Sequence, residues 1–174
     1  MKLNYAISKI RKNRQLCNTK NIIKMDKETR YKRIFDQLEE LLKVTTFPCS
    51  RMSTIIAVLH HKMEGFLWTG FYLLHEEELL VASYQGPLAC QKLNKNTGVC
   101  WAGINQMKSI IVPDVHQFPG HIACDSRSNS EIVIPVFNQN KEIVGVLDID
   151  SKNYNHFNEI DSEWLTKIVD RIYI

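Results

Sequence analysis

The stretch Glu131-Ile132-Val133-Ile134-Pro135-Val136-Phe137-Asn138-Gln139-Asn140-Lys141-Glu142-Ile143-Val144-Gly145-Val146-Leu147-Asp148-Ile149-Asp150 decides the architecture. Glu131 to Phe137 and Glu142 to Ile149 are dominated by β-branched and aliphatic residues, and the four polar residues between them make a hairpin turn. A hairpin pairs its strands antiparallel. The same pattern recurs upstream, where Leu67 to Leu74 and Glu78 to Tyr84 flank His75-Glu76-Glu77.

Helical spacing surrounds these strands. From Lys27 to Lys43 the residues Tyr31, Ile34, Leu38, Leu41 and Leu42 fall on one side, with charges between them. After Pro48, a second helix capped by Ser50 or Ser53 is expected through Met63, with Met52, Ile55, Ile56, Leu59 and Met63 on its apolar face and Gly65 closing it. Gly98 to Met107 reads as a short helix, Ser109 to Pro113 as a short strand, and Glu159 to Ile172 as a closing helix whose stripe is Trp164, Leu165, Ile168, Val169 and Ile172. The order predicts an α+β fold: a single antiparallel sheet with the terminal helices on one face. The long segments Gln85 to Gly98 and Pro113 to Ser130 are left for the other face, and ordered loops of that length are usually functional.

Composition narrows the class. The chain has 174 residues, enough for one domain, and its 44% hydrophobic content supports a core without a metal or disulfide staple. The net charge of +3 is concentrated at one end: seven basic and no acidic side chains lie in residues 1–24, leaving +3 − 7 = −4 for residues 25–174. A mildly acidic body argues against nucleic-acid binding. Residues 1–24 read as a basic, flexible extension and 25–174 as the domain, with no apolar run long enough to span a membrane. Five cysteines without an export signal point to the cytoplasm and to redox or catalytic use. Cys17 in the extension and Cys49, expected in a loop beside Pro48, are taken as incidental.

Three cysteines, Cys90, Cys100 and Cys124, fall in or beside the two long segments, accompanied by His116, His121, Asp125 and Glu131. At strand spacing, Asp148 and Asp150 share one face of the sheet, where they interrupt an apolar run; buried carboxylates there need a partner or a cationic ligand. The Cys and His spacing lacks the close ligand pairs of a structural zinc site, so no metal or other cofactor is expected. No nucleophile elbow or glycine-rich phosphate loop is present either.

The run Pro113-Asp114-Val115-His116-Gln117-Phe118-Pro119-Gly120-His121-Ile122-Ala123-Cys124-Asp125 resembles the free methionine-(R)-sulfoxide reductase family. So do Trp68-Thr69-Gly70-Phe71-Tyr72-Leu73, Gln85-Gly86-Pro87-Leu88-Ala89-Cys90, Gly98-Val99-Cys100, Ser130-Glu131-Ile132-Val133-Ile134-Pro135 and Gly145-Val146-Leu147-Asp148-Ile149-Asp150-Ser151, in the family's order. The resemblance implies a GAF fold and reduction of the free amino acid. It implies Cys124 as nucleophile, Cys90 as resolving cysteine and Cys100 as a further recycling cysteine. It makes Glu131, Asp148 and Asp150 substrate-binding or proton-transferring groups, with Trp68 and Tyr72 as aromatic walls. Thioredoxin is the implied reductant, the (R) preference comes from the resemblance alone, and a homodimer is compatible with it. Trp101 departs from the family, which commonly has glycine after the Cys100 position. The competing reading is a GAF module that senses a small molecule or redox state without catalysis; such a sensor needs the thiols but not the acidic trio.

Overall fold

A computed structural model describes residues 25–121 and 125–174. The reading of residues 1–24 as an extension, and the position of Cys124, lie outside the described residues. The elements are α1 (Lys27–Leu41), α2 (Pro48–Lys62), β1 (Phe66–His75), β2 (Glu78–Gln85), β3 (Lys92–Leu93), α3 (Gly98–Gln106), β4 (Ile110–Val112), β5 (Ser130–Phe137), β6 (Ile143–Ser151) and α4 (Glu159–Val169). The strands form one six-stranded sheet in the order β3-β2-β1-β6-β5-β4, every neighbouring pair antiparallel. Both hairpins are present. The β1–β2 turn holds Glu76 and Glu77 at φ 48° and 63°, the left-handed pair that a two-residue hairpin turn demands.

Strand alternation divides the interior into two layers. On one face Phe71, Ile132, Ile134, Leu147 and Ile149 meet Tyr31, Ile34 and Leu38 of α1, Ile55, Ile56 and Leu59 of α2, and Leu165 and Ile168 of α4. On the other, Trp68, Tyr72, Val133 and Val146 pack with Val99, Cys100, Trp101 and Ile104 of α3. The terminal helices therefore share one face as expected, and α3 joins the long segments on the opposite one.

Three local expectations are corrected. Neither Ser50 nor Ser53 caps α2: the helix opens one turn earlier, with Phe47 as N-cap and Pro48 in its first turn, where the missing N–H costs nothing. Cys49 therefore lies in a helix and not a loop. Leu41 stands at the margin of the α1 stripe and is exposed, whereas Leu42 is buried.

Two buried polar anchors tie the helical layer. Asp161, fully buried, completes the capping box of α4 with Asn158 and accepts hydrogen bonds from the Tyr31 hydroxyl at 2.8 Å and Lys27 Nζ at 2.6 Å. Arg51 on α2 donates from Nε to Thr45 O (2.6 Å), from Nη2 to Leu42 O (3.1 Å) and from Nη1 to Arg171 O (2.9 Å) and Ile174 O (3.2 Å). One guanidinium thus ties together carbonyls after α1 and after α4. Arg51→Ala is expected to destabilise the fold by ~3 kcal/mol, since charge-assisted bonds are lost and buried carbonyls are left unpaired. Urea unfolding reads this as a lower midpoint; a loss under ~1 kcal/mol would mean that water replaces the guanidinium.

Candidate active site

The second layer closes around a cavity of ≈ 130 Å³ between the sheet and the long segments. Strand register assembles its floor. Trp68 on β1 and Glu131 on β5 both pair with Asp150 on the central β6, giving one row, and Gly70 and Val133 both pair with Asp148 in the next. Directly opposed residues on one face stand within side-chain contact. The three carboxylates and the indole are therefore brought together by β-pairing from positions far apart in sequence.

Gly70 makes the indole's position possible. A Cβ there would stand 2.4 Å from the Trp68 ring and 2.5 Å from Tyr84 Cβ, so no side chain fits. Trp68 stacks between Tyr72 and Tyr84, with ring centroids 5.7 and 5.4 Å apart and planes within 25° and 20°. The Tyr72 hydroxyl donates to the Cys90 carbonyl at 3.0 Å, tethering the cysteine-bearing segment to the aromatic wall.

The acidic trio is deeply buried and its charge is constrained. Burial, then the charges of Asp148 and Asp150, push the Glu131 carboxyl well above the usual carboxylate range. Asp150 is pushed up well too, by burial first and then by Asp148, against an opposing hydrogen bond from Ser128. Asp148 rises only to about 6, because burial is countered by hydrogen bonds from Cys100 and Glu131 that favour its charged form. Of the three, Asp148 is the carboxyl whose charged form its neighbours favour, while burial and neighbouring charge favour the protonated form of Glu131. Asp148 Oδ1 is nonetheless buried without a hydrogen-bond partner. The neighbouring Asp125 behaves differently: its hydrogen bonds with Arg127 hold it down at about 2, permanently charged.

Cys100, buried in the first turn of α3, has a free thiol whose pKa is held well above the ordinary value, by burial first and then by Asp148 and Glu131. It is therefore a thiol, not a thiolate, in this surrounding. Cys90 lines the cavity and is disulfide-bonded; the other described cysteines, Cys49 and Cys100, are free. His121 lines the same cavity with Nδ1 3.8 Å from Glu131 Oε2, and burial, then His116, keeps its ring neutral by lowering its pKa. His116 is not brought in: its Nε2 meets Asn129 Oδ1 at 3.2 Å near the surface. Trp101 is buried behind the site, in the layer between α3 and the sheet, and does not line the cavity. The sequence reading passed over Ser128, the buried partner of Asp150, and the start of α3 at Thr97 and Gly98, which opens into the cavity. Gly98 has φ +80°, and a Cβ there would meet nothing within 4 Å. The only sequence signals for these were the loop length and one glycine.

Similarity to known proteins follows the same outline. The GAF domain family matches residues 51–173. "GAF domain-containing protein A" of Dictyostelium discoideum is 45% identical over 149 residues, 85% of this chain and 93% of its own length. The free methionine-R-sulfoxide reductase of Escherichia coli is 34% identical over 148 residues, 85% of this chain and 89% of that protein. The chain belongs to the free methionine-R-sulfoxide reductase family of GAF domains. The solved structure of free methionine-R-sulfoxide reductase from Neisseria meningitidis, in complex with its substrate, superimposes with a TM-score of 0.81 at 35% identity, covering 85% of this chain and 89% of that one. Within this reductase family, the fold expected from the sequence is the fold observed: one open antiparallel sheet, the terminal helices on one face and the cavity on the other. Among the described residues no helix is long and apolar enough to cross a membrane.

Proposed function

We propose that this chain reduces free methionine-(R)-sulfoxide to methionine, with Cys124 as nucleophile, Cys90 as resolving cysteine and Glu131 as proton donor. As a member of this reductase family it is an oxidoreductase of methionine sulfoxide. What supports the finer reading is the meeting, in one cavity, of a disulfide-bonded Cys90 with a buried carboxyl, Glu131, pushed toward its protonated form and another, Asp148, whose charged form is favoured by hydrogen bonds.

A sulfoxide sulfur becomes electrophilic when its oxygen accepts a proton. Glu131, whose every neighbouring influence raises its pKa, supplies that proton as the Cys124 thiolate attacks. The sulfoxide S–O bond breaks as its protonated oxygen passes to the Cys124 sulfur, so that methionine leaves and Cys124 becomes a sulfenic acid. The Cys90 thiol then condenses with it, forming the disulfide and releasing water. An external dithiol, thioredoxin in the cytoplasm, restores both thiols by exchange, and Cys100 serves as a further recycling cysteine in that phase. The Trp68 and Tyr72 rings take the methyl thioether end and keep water out.

Selectivity for the free amino acid comes from both ends of its backbone. The charged Asp148, with a buried oxygen lacking a partner, suits an ammonium. The first N–H groups of α3, at Gly98 to Cys100, suit a carboxylate. N-acetylation removes the ammonium charge, so kcat/KM on N-acetylmethionine-(R)-sulfoxide is expected to fall at least ~10-fold below that on the free compound. Equal rates on the two would overturn the proposal. No methionine from either, with dithiothreitol supplied, would favour the sensor reading.

A further inference from the structure

The thiol of Cys100 lines the cavity and takes no part in the first chemical step of the proposed reaction. Its Sγ and one carboxylate oxygen each of Glu131 and Asp148 all lie within 4.8 Å of one another. These three side chains come from α3, β5 and β6, so the trio is built by tertiary packing and leaves no ligand-spacing signature in the sequence. A second observation marks the same point: Asp148, 7% exposed, turns a buried Oδ1 toward no hydrogen-bond partner. One thiol and two carboxylates whose ligand atoms lie within 4.8 Å of one another match the donor types of a zinc ion, which takes sulfur and oxygen ligands. His121 stands behind Glu131 in the position of an orienting residue.

We propose that the reduced protein binds one thiophilic divalent cation, zinc or cobalt, through Cys100, Glu131 and Asp148, and that the ion excludes the substrate. On binding, the cation forms a bond to Cys100 sulfur and to one oxygen of each carboxylate; the displaced thiol and carboxyl protons go to solvent, and nothing is oxidised or reduced. Water or a buffer ligand fills the fourth position, as in zinc sites with three protein ligands. The ion takes the place Asp148 offers to a substrate ammonium, so the two compete. Zinc thereby holds the enzyme inactive in its thiol state. Metal binding at these three side chains does not depend on turnover, although the competition with substrate rests on the proposed reaction.

The test uses the full chain reduced with a phosphine and titrated with Co²⁺ alone, whose sulfur-to-metal charge-transfer band reports thiolate ligation. Zn²⁺ displacement of the band then gives its affinity. We expect one equivalent of Co²⁺ with a charge-transfer band that persists in Cys90→Ser and Cys124→Ser, vanishes in Cys100→Ser, and needs at least ~10-fold more metal in Asp148→Asn. Methionine sulfoxide is expected to raise the metal concentration required. A band that survives Cys100→Ser, one lost with Cys90→Ser or Cys124→Ser, or the absence of saturable binding to the wild type would overturn the proposal. Should Cys100→Ser fail to fold, Asp148→Asn decides alone: unchanged cobalt affinity refutes the site. Metal binding without methionine formation would uphold this inference while refuting the proposed reaction, and the converse outcome would do the reverse.

Discussion

Cys124→Ser is expected to abolish methionine formation with every reductant, by at least ~10³-fold, because the step that removes oxygen from sulfur needs a thiolate. A serine hydroxyl stays protonated at neutral pH and offers a hard oxygen where a polarisable sulfur is needed. Cys90→Ser should behave differently. The first step does not use Cys90, so the variant is expected to release methionine in a single turnover and to stop at the sulfenic acid, which dimedone traps as a covalent adduct on Cys124. Dithiothreitol reaches small cavities and should rescue multiple turnovers, whereas thioredoxin, which needs a disulfide to attack, should not. The structure bears on this through the bonded state of Cys90, the only described cysteine that is not free, and through the Tyr72 hydroxyl that fixes its carbonyl. Persistence of methionine formation in Cys124→Ser would require another nucleophile. Cys90 and Cys100 are the described cysteines lining the cavity, and burial, which raises the Cys100 pKa, makes that thiol a poor nucleophile.

The residues differ in how plainly the sequence announced them. Alternation along β5 and β6 was visible as period two, so the shared face of Asp148 and Asp150 followed from the sequence alone and is observed. What alternation cannot supply is register between strands. That Glu131 and Trp68 flank Asp150 in a single row depends on pairings across β1, β6 and β5, each fixed by the turns and the opposite apolar face. The α2 start departs from the serine cap that propensity favours, because the chain places proline in the first turn with no side-chain cap at all. β3, two residues long, is too short to carry a period. His116 and His121 sit in one loop and looked equivalent; only the fold separates the one near the surface from the one beside Glu131. Ligand spacing detects metal ligands close in sequence and does not bear on side chains that the fold gathers from positions 100, 131 and 148.

Glu131→Gln is expected to lower kcat by ~10²–10⁴ while leaving substrate binding close to that of the wild type. The amide has nearly the size and shape of the carboxyl and still donates a hydrogen bond, so the row of Trp68, Asp150 and residue 131 stays packed. It has no acidic proton to give. In the proposed site the charge that meets the substrate ammonium is that of Asp148, which the substitution leaves in place, so KM should move little. Asp148→Asn should show the converse split, with a raised KM and a smaller effect on kcat, because it removes the charged end of the clamp. Reading both variants with saturating dithiothreitol keeps disulfide recycling from masking the chemical step. A Glu131→Gln enzyme within tenfold of wild-type kcat would transfer the acid role to Asp150, the other carboxyl that burial keeps protonated. The pair of kinetic splits therefore assigns the proton donor and the ammonium clamp separately, which the shared burial of the trio makes impossible by activity loss alone.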